Sequence, residues 1–150
     1  LEPRKGHEQA LQAFEQLWRL GKDWRLIVVG KQGWRMSRLA HIIRNHQEFG
    51  SRLFWFEAAT DALLTRLYEI SDCVLGASEG EGFGLPLIEA ASRGKPIVAR
   101  KIPVFEEVAG EGAFFFPDSP SAAVLAEGLV RWSHASHDGT LPDVRNIKAI

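Results

Sequence analysis

The stretch that decides the fold is Ser78–Gly94, SEGEGFGLPLIEAASRG. An apolar run, Cys73–Gly76, precedes it and predicts a buried β-strand, whereas its second half holds good helix formers and ends at a stop glycine. The glycine-rich segment between them predicts a tight turn, and Pro86 suits the first turn of the helix because the N–H that it lacks would have no partner there. Free amides at such a helix start favour an anion.

Two glutamates distinguish this turn from a simple phosphate loop. Glu81 lies in the turn, and Glu89 lies eight positions further on, about two turns into the helix. Carboxylates repel phosphate but accept hydrogen bonds from sugar hydroxyls. Phosphate binding alone therefore does not explain the segment.

The residues by themselves leave other interpretations open. One is a strand–helix turn whose glycines serve geometry only, and another is a non-catalytic nucleotide-sugar-binding module. A third is an NADP-dependent oxidoreductase, because a basic pair, Arg100 and Lys101, lies about twenty residues beyond the glycines, where a 2′-phosphate would bind. The third glycine comes one position too early for that dinucleotide pattern, and Glu79 and Glu81 would place negative charge beside the pyrophosphate.

Strands and helices alternate along the chain. Apolar runs predict further strands at Trp24–Val29, Arg52–Phe56, Pro96–Ala99 and Ala113–Phe116. Apolar residues spaced three and four apart predict helices at Gly6–Leu20, Met36–His46, Thr60–Ile70 and Ser119–Trp132, with a short turn or helix at Pro103–Val108. The alternation predicts an α/β fold, a Rossmann-like doubly wound parallel sheet with helices on both faces.

Ligands of such sheets bind at the carboxyl ends of the strands. Four residues are expected at that edge, namely Lys5, Gly30, Glu57 and Glu81. The sequence therefore predicts one cleft there.

The composition narrows the class of partner. The chain has 150 residues, 45% of them hydrophobic and 25% charged, as in one soluble globular domain. A formal net charge of −1 supplies no broad field for a nucleic acid, so we expect no such partner. The single cysteine, Cys73, is expected to be buried in the core, and no apolar run is long enough to cross a membrane. Together these two features predict a cytoplasmic protein.

The decisive stretch also carries a family resemblance. Glu81–Ala90, EGFGLPLIEA, has seven residues between its two glutamates and resembles the signature of retaining glycosyltransferases of family 4, in the GT-B superfamily. Further matches follow in the expected order on either side: Pro3–Gly6, Leu26–Gly30, Ala91–Ala99 and Glu106–Gly110. The resemblance implies the C-terminal half of a GT-B fold, with a donor-binding domain at 1–132, a polar tail or linker at 133–150 and an N-terminal acceptor domain absent from this chain.

The resemblance also implies a reaction and a set of site residues. A sugar passes from a nucleoside diphosphate sugar to an acceptor hydroxyl with its anomeric configuration retained, and neither a metal nor another cofactor is required. Lys5 matches the lysine that holds the donor diphosphate, Glu81 would hold the transferred sugar, and Glu89 would accept hydrogen bonds from the ribose. The catalytic residues are Glu81 and Lys5, and the donor-binding set is Lys5, Gly30, Gly82, Phe83, Gly84, Leu85 and Glu89.

We expect GDP-mannose as the donor and bacterial polysaccharide synthesis as the pathway. This expectation rests on analogy with the family and on the sequence of Ile102–Val108, IPVFEEV. The acceptor, a glycan or a lipid-linked glycan, would bind through the N-terminal domain. The full-length protein would then work in the cytoplasm or at the inner face of the membrane.

Overall fold

The computed structural model describes residues 3–147, in which five β-strands alternate with six α-helices. The strands are β1 Leu26–Val29, β2 Leu53–Phe56, β3 Val74–Gly76, β4 Ile97–Arg100 and β5 Phe114–Phe116. The helices are α1 His7–Arg19, α2 Ser37–Arg44, α3 Asp61–Ile70, α4 Leu85–Ser92, α5 Pro103–Ala109 and α6 Ala122–Asp138. Every strand pair is parallel, and the predicted α/β class is confirmed.

The five strands do not form one continuous sheet. β1 pairs with β2 in one sheet, with Leu26 opposite Leu53, and β3, β4 and β5 form a second sheet in that order. β4 lies in the middle of the second sheet, and all four of its residues are buried. β1 and β3 each leave one edge unpaired.

The core has two parts. α1 and α6 pack against one another, and their apolar side chains join those of α2 and of the β1–β2 sheet, including Leu17, Ile43, Leu53 and Leu125. The second part gathers α4, α5 and β4 around Phe105. Cys73, predicted to be buried in the core, packs against this first part beside the gap between the two sheets and is half-buried, and burial raises the pKa of its thiol to about 12.

Side-chain caps begin two of the helices. The Thr60 hydroxyl accepts a hydrogen bond from the Leu63 amide (3.1 Å), and the Ser121 hydroxyl accepts one from the Val124 amide (3.4 Å). None of the helices within residues 3–147 combines the length and the apolar character needed to cross a bilayer.

The closing helix is longer than predicted. α6 continues past Trp132 to Asp138, so the segment predicted as a polar tail or linker, 133–150, begins inside it. Its last turns are largely exposed, and an exposed helix end needs no apolar stripe, which is why the sequence pattern fades before the helix does. Gly139, with φ 71°, ends the helix, and Ile147 returns to pack beside Gly112.

Candidate active site at the carboxyl end of β3

The turn that follows β3 meets the beginning of the described chain. Residues Pro3–Lys5 form a short 3-10 turn that lies beside Ser78–Gly84. The Glu79 amide donates to the Arg4 carbonyl (2.7 Å), and the Arg4 guanidinium donates to the Gly80 carbonyl (3.2 Å). Hydrogen bonds to backbone carbonyls thus hold together two segments that are far apart in the sequence.

Gly6 permits this close approach. Its φ is 75°, a left-handed value that side chains disfavour, and a Cβ built on it would lie 2.2 Å from the carbonyl oxygen of Ala77. Only a glycine therefore allows the chain to pass so near the end of β3. The consequence is that Lys5, the preceding residue, faces the turn.

Lys5 and Glu81, the two residues predicted to be catalytic, form an ion pair. The Lys5 ammonium donates to Oε1 of Glu81, and the Ser78 hydroxyl donates to the same oxygen (2.9 Å). The Lys5 side chain is 29% exposed and that of Glu81 only 9%. Burial by itself raises the pKa of Glu81, but the hydrogen bonds from Lys5 and Ser78, together with the positive charges of Lys5 and Arg4, lower the pKa below the usual value. Glu81 is therefore a carboxylate that accepts hydrogen bonds.

Arg100, at the end of β4, holds the first residues of the turn in place through hydrogen bonds. Its guanidinium donates to the carbonyls of Ala77 (3.0 Å) and Ser78 (3.2 Å), to that of Ser119 (2.8 Å), and to the Gln9 side chain. The side chain is 1% exposed, so it is not available to a 2′-phosphate at the surface. Sequence reasoning missed this anchoring role, because a basic residue at a strand end does not reveal which way it points.

The start of α4 depends on a second glycine. Gly84 has φ 70°, and a Cβ on it would lie 2.9 Å from Cγ2 of Val108 in α5. By contrast, a Cβ on Gly82 would meet no atom within 4 Å, so packing within the described chain does not require glycine there. Phe83 and Leu85 on either side of Gly84 are exposed, at 72% and 57%. The turn thus presents an open backbone with two apolar side chains.

Two predicted donor-binding residues lie apart from the Lys5–Glu81 pair. Glu89 is exposed on α4, 3.9 Å from Arg93, and its charge adds to burial in raising the pKa of Tyr68. Gly30 follows β1, and its carbonyl accepts a hydrogen bond from the Trp55 indole (2.8 Å). Neither residue hydrogen-bonds with Lys5 or Glu81.

The carboxyl end of β2 holds a polar network. Glu57, expected at this edge, pairs with Arg44 (2.7 Å), whose guanidinium lies 4.5 Å from the centre of the Trp55 ring. Arg44 also donates to the side chain of Gln32 (3.3 Å). Within residues 3–147 no group of three or more His, Cys, Asp and Glu side chains is placed to hold a metal ion.

Solved structures share the fold. The C-terminal domain of a glycosyl transferase group 1 family protein, LpcC from Francisella tularensis, superposes with a TM-score of 0.76 over 94% of this chain and 75% of that domain, at 20% identity. The Anabaena protein Alr3699/HepE, solved in complex with UDP and glucose, superposes with a TM-score of 0.73 over 97% of this chain and 39% of HepE, at 23% identity. At these identities the likeness concerns the fold.

The sequence places the chain in a family. A curated relative, the serotype-specific mannosyltransferase WbdA of Escherichia coli, is 45% identical over 148 residues, which are 98% of this chain and 18% of WbdA. The chain thus spans less than a fifth of the length of that relative. The model of the family described as glycosyl transferases group 1 matches residues 1–142. The chain belongs to the group 1 glycosyl transferases.

Proposed function

We propose that this chain is the donor-binding domain of a retaining glycosyltransferase, which transfers mannose from GDP-mannose to an acceptor hydroxyl during polysaccharide synthesis. The observation that carries the proposal is the contact between Lys5 and Glu81 at the carboxyl end of β3. The name of WbdA supports mannose as the transferred sugar.

The contact fits a nucleoside diphosphate sugar because such a donor has an anion and hydroxyl groups next to one another. The diphosphate is bonded directly to the anomeric carbon of the sugar. A partly exposed ammonium and an ionised carboxylate in contact with it match those two neighbouring parts. A free phosphate or a simple sugar would use only half of this arrangement.

Lys5 would stabilise the leaving group. Negative charge grows on the diphosphate as the glycosidic bond breaks, and a cation already held at that position stabilises the transition state more than the ground state. The open backbone at Gly82 leaves room for the same phosphates, with the amides near Gly84 and Leu85 as further donors.

Glu81 would orient the sugar, and Glu89 would bind the ribose. The pKa of Glu81 lies below its usual value, so the group is ionised at neutral pH and accepts hydrogen bonds from a sugar hydroxyl. Glu89, exposed on α4, is open to a hydroxyl-bearing ligand. We further propose that the acceptor binds to a part of the full-length protein outside this chain, and that the protein works in the cytoplasm or at the inner face of the membrane.

Turnover by the full-length protein tests the proposal. GDP-mannose should be consumed in the presence of acceptor, with GDP released, and proton NMR of the product should give the same anomeric configuration as the donor. UDP-glucose, ADP-glucose and NADPH are the competing substrates. Hydride transfer from NADPH would support the oxidoreductase, and nucleotide binding without turnover would support a non-catalytic module.

A further inference from the structure

The buried polar residues of this domain form one hydrogen-bonded network beside Glu81. Within residues 3–147, the polar or charged residues that are buried are Gln9, Ser78 and Arg100. Hydrogen bonds connect all three, because the Arg100 guanidinium donates to the Gln9 side chain and to the Ser78 carbonyl (3.2 Å). The Ser78 hydroxyl then donates to Oε1 of Glu81 (2.9 Å). The network therefore ends at the carboxylate that is proposed to orient the sugar.

The other end of the network is anchored in a second loop. Gln9 donates to the carbonyls of Ser119 (2.7 Å) and Ser121 (3.0 Å), and Arg100 also donates to that of Ser119 (2.8 Å). Burying polar groups is costly unless they are paired, and a fully paired network is rigid. Ser78, whose carbonyl belongs to this network, is therefore held at a fixed position.

The two groups that donate to Glu81 differ in how firmly they are placed. The Lys5 side chain is 29% exposed and carries its charge on a flexible stem, whereas Ser78 is 6% exposed and its hydroxyl is neutral. A diphosphate that enters the site attracts the ammonium strongly and the neutral, buried hydroxyl far less. Donor binding should therefore weaken the contact between Lys5 and Glu81 and leave the contact of Ser78 in place.

We propose that Ser78 is a positioning residue for the transfer reaction: its hydroxyl keeps the Glu81 carboxylate oriented toward the transferred sugar once Lys5 has turned to the diphosphate. This inference rests on the roles proposed above for Lys5 and Glu81. Before the donor arrives, both Lys5 and Ser78 hold the carboxylate. In the donor complex, the Ser78 hydroxyl is the group that remains, and it acts through Glu81 without touching the donor.

The geometry at the carboxylate leaves one oxygen for the sugar. Lys5 and Ser78 both donate to Oε1 of Glu81, so neither competes with a sugar hydroxyl for Oε2. Burial raises the pKa of Glu81, and the hydrogen bond from Ser78 is one of the contacts that lower it. Loss of the Ser78 hydroxyl should therefore free the carboxylate to rotate and also raise its pKa. These two consequences can be measured separately.

Titration of the Glu81 carboxyl group by carbon-13 NMR, in the full-length protein, tests whether the hydroxyl holds the carboxylate. Ser78→Ala should raise the pKa of Glu81, both in the free protein and with saturating GDP. Ser71→Ala is the matched control, because the Ser71 hydroxyl donates to the Leu67 carbonyl (2.6 Å) at the end of α3 and its loss should leave this pKa unchanged. An unchanged pKa in Ser78→Ala, or a rise that disappears with GDP bound, would overturn the proposal.

Steady-state kinetics test whether this orientation contributes to transfer. Ser78→Ala should lower kcat for GDP-mannose by about 10-fold or more and change the affinity for GDP by less than about twofold, because the misplaced carboxylate meets the sugar and not the nucleotide. Ser78→Cys keeps the size of the side chain but offers only a weak donor, so it should lose activity as well, and it replaces Ser78→Ala in the titration if that variant fails to fold. Full activity of Ser78→Cys would show that packing and not the hydrogen bond is required, which would overturn the proposal.

A double-mutant cycle separates positioning from a general loss of stability. If Ser78 acts through Glu81, Ser78→Ala should lower the residual kcat no further once Glu81→Ala has been introduced, whereas independent effects would multiply. Effects that multiply would overturn the proposal. Absence of GDP-mannose turnover in the wild type would instead refute the proposed function. The NMR titration of the free protein, which needs no donor, would then still decide whether Ser78 holds Glu81.

Discussion

Lys5 and Glu81 are 76 positions apart in the sequence, yet the ammonium of one donates a hydrogen bond to the carboxylate of the other. The contact depends on Gly6, which lets the chain pass against Ala77, and on Arg100, which holds the carbonyls of Ala77 and Ser78. The proposed chemistry therefore depends on residues that do not themselves meet the donor. Five predictions separate these supporting residues from those that bind it.

Arg100→Met should destabilise the domain. The substitution leaves buried carbonyl groups and Gln9 without their donor, which should cost roughly 3 kcal/mol. The neighbouring Lys101→Met is the matched control, since Lys101 is 62% exposed and should change stability by less than about 0.5 kcal/mol. Hydrogen exchange of the β4 amides in the full-length protein reports both values. Equal effects of the two substitutions would show that the buried guanidinium contributes nothing to stability.

Gly84→Ala and Gly82→Ala should affect different properties. At Gly84 the left-handed φ of 70° and the contact with Val108 should destabilise the domain by about 1–2 kcal/mol or more. At Gly82 a methyl group has space, so the melting temperature should hold while the affinity for GDP falls, because the methyl group occupies room proposed for the phosphates. Thermal unfolding and calorimetric titration on both variants provide the comparison. Unchanged GDP affinity in Gly82→Ala would place the phosphates elsewhere.

The Lys5–Glu81 contact should make stability depend on pH in the acid range. The pKa of Glu81 in the folded protein lies below its ordinary value of 4.5, so the contact stabilises the fold above about pH 4.5. This stabilisation is lost as the pH falls through the lowered pKa. Glu81→Gln should remove that part of the pH dependence and leave the slope above pH 6 unchanged. Identical stability profiles between pH 3 and 6 for the wild type and the variant would contradict the assignment.

Part of this architecture could be predicted from the sequence, because local chemistry decides it. The strand, glycine turn and helix around Ser78–Gly94 follow from the local propensities of these residues. The alternation of strands and helices also placed Lys5 and Glu81 at one edge, where the structure joins them.

Other features depend on packing, which local sequence does not encode. The burial of Arg100 depends on carbonyls supplied by two distant loops. The gap between β1 and β3 depends on which strands are neighbours, and hydrophobic periodicity does not indicate the order of strands in a sheet. The pairing of Glu57 with Arg44 likewise depends on the relative placement of β2 and α2.

The proposed roles of the two glutamates predict different kinetic effects. Glu89→Gln should weaken the binding of GDP and of GDP-mannose alike, by roughly 1–2 kcal/mol, because the ribose is common to both and a charge-assisted hydrogen bond becomes a neutral one. Exchanging the neighbouring exposed Arg93 for Lys keeps the charge near Glu89 and serves as the control. A selective loss of GDP-mannose affinity in Glu89→Gln would reverse the roles proposed for the two glutamates.

The most direct measurement is the affinity for GDP and the turnover of GDP-mannose, determined together for the wild type, Lys5→Met and Glu81→Gln in the full-length protein. Lys5→Met should weaken GDP binding and lower kcat by about 100-fold or more. The diphosphate loses the stabilising charge of Lys5 in the bound ground state and in the transition state, and the loss is larger in the transition state because more negative charge has formed there. Glu81→Gln should bind GDP as the wild type does and yet lose turnover, because its contact is with the sugar. If both variants bind GDP and turn over GDP-mannose like the wild type, the Lys5–Glu81 contact is structural only, and the donor site proposed here is wrong.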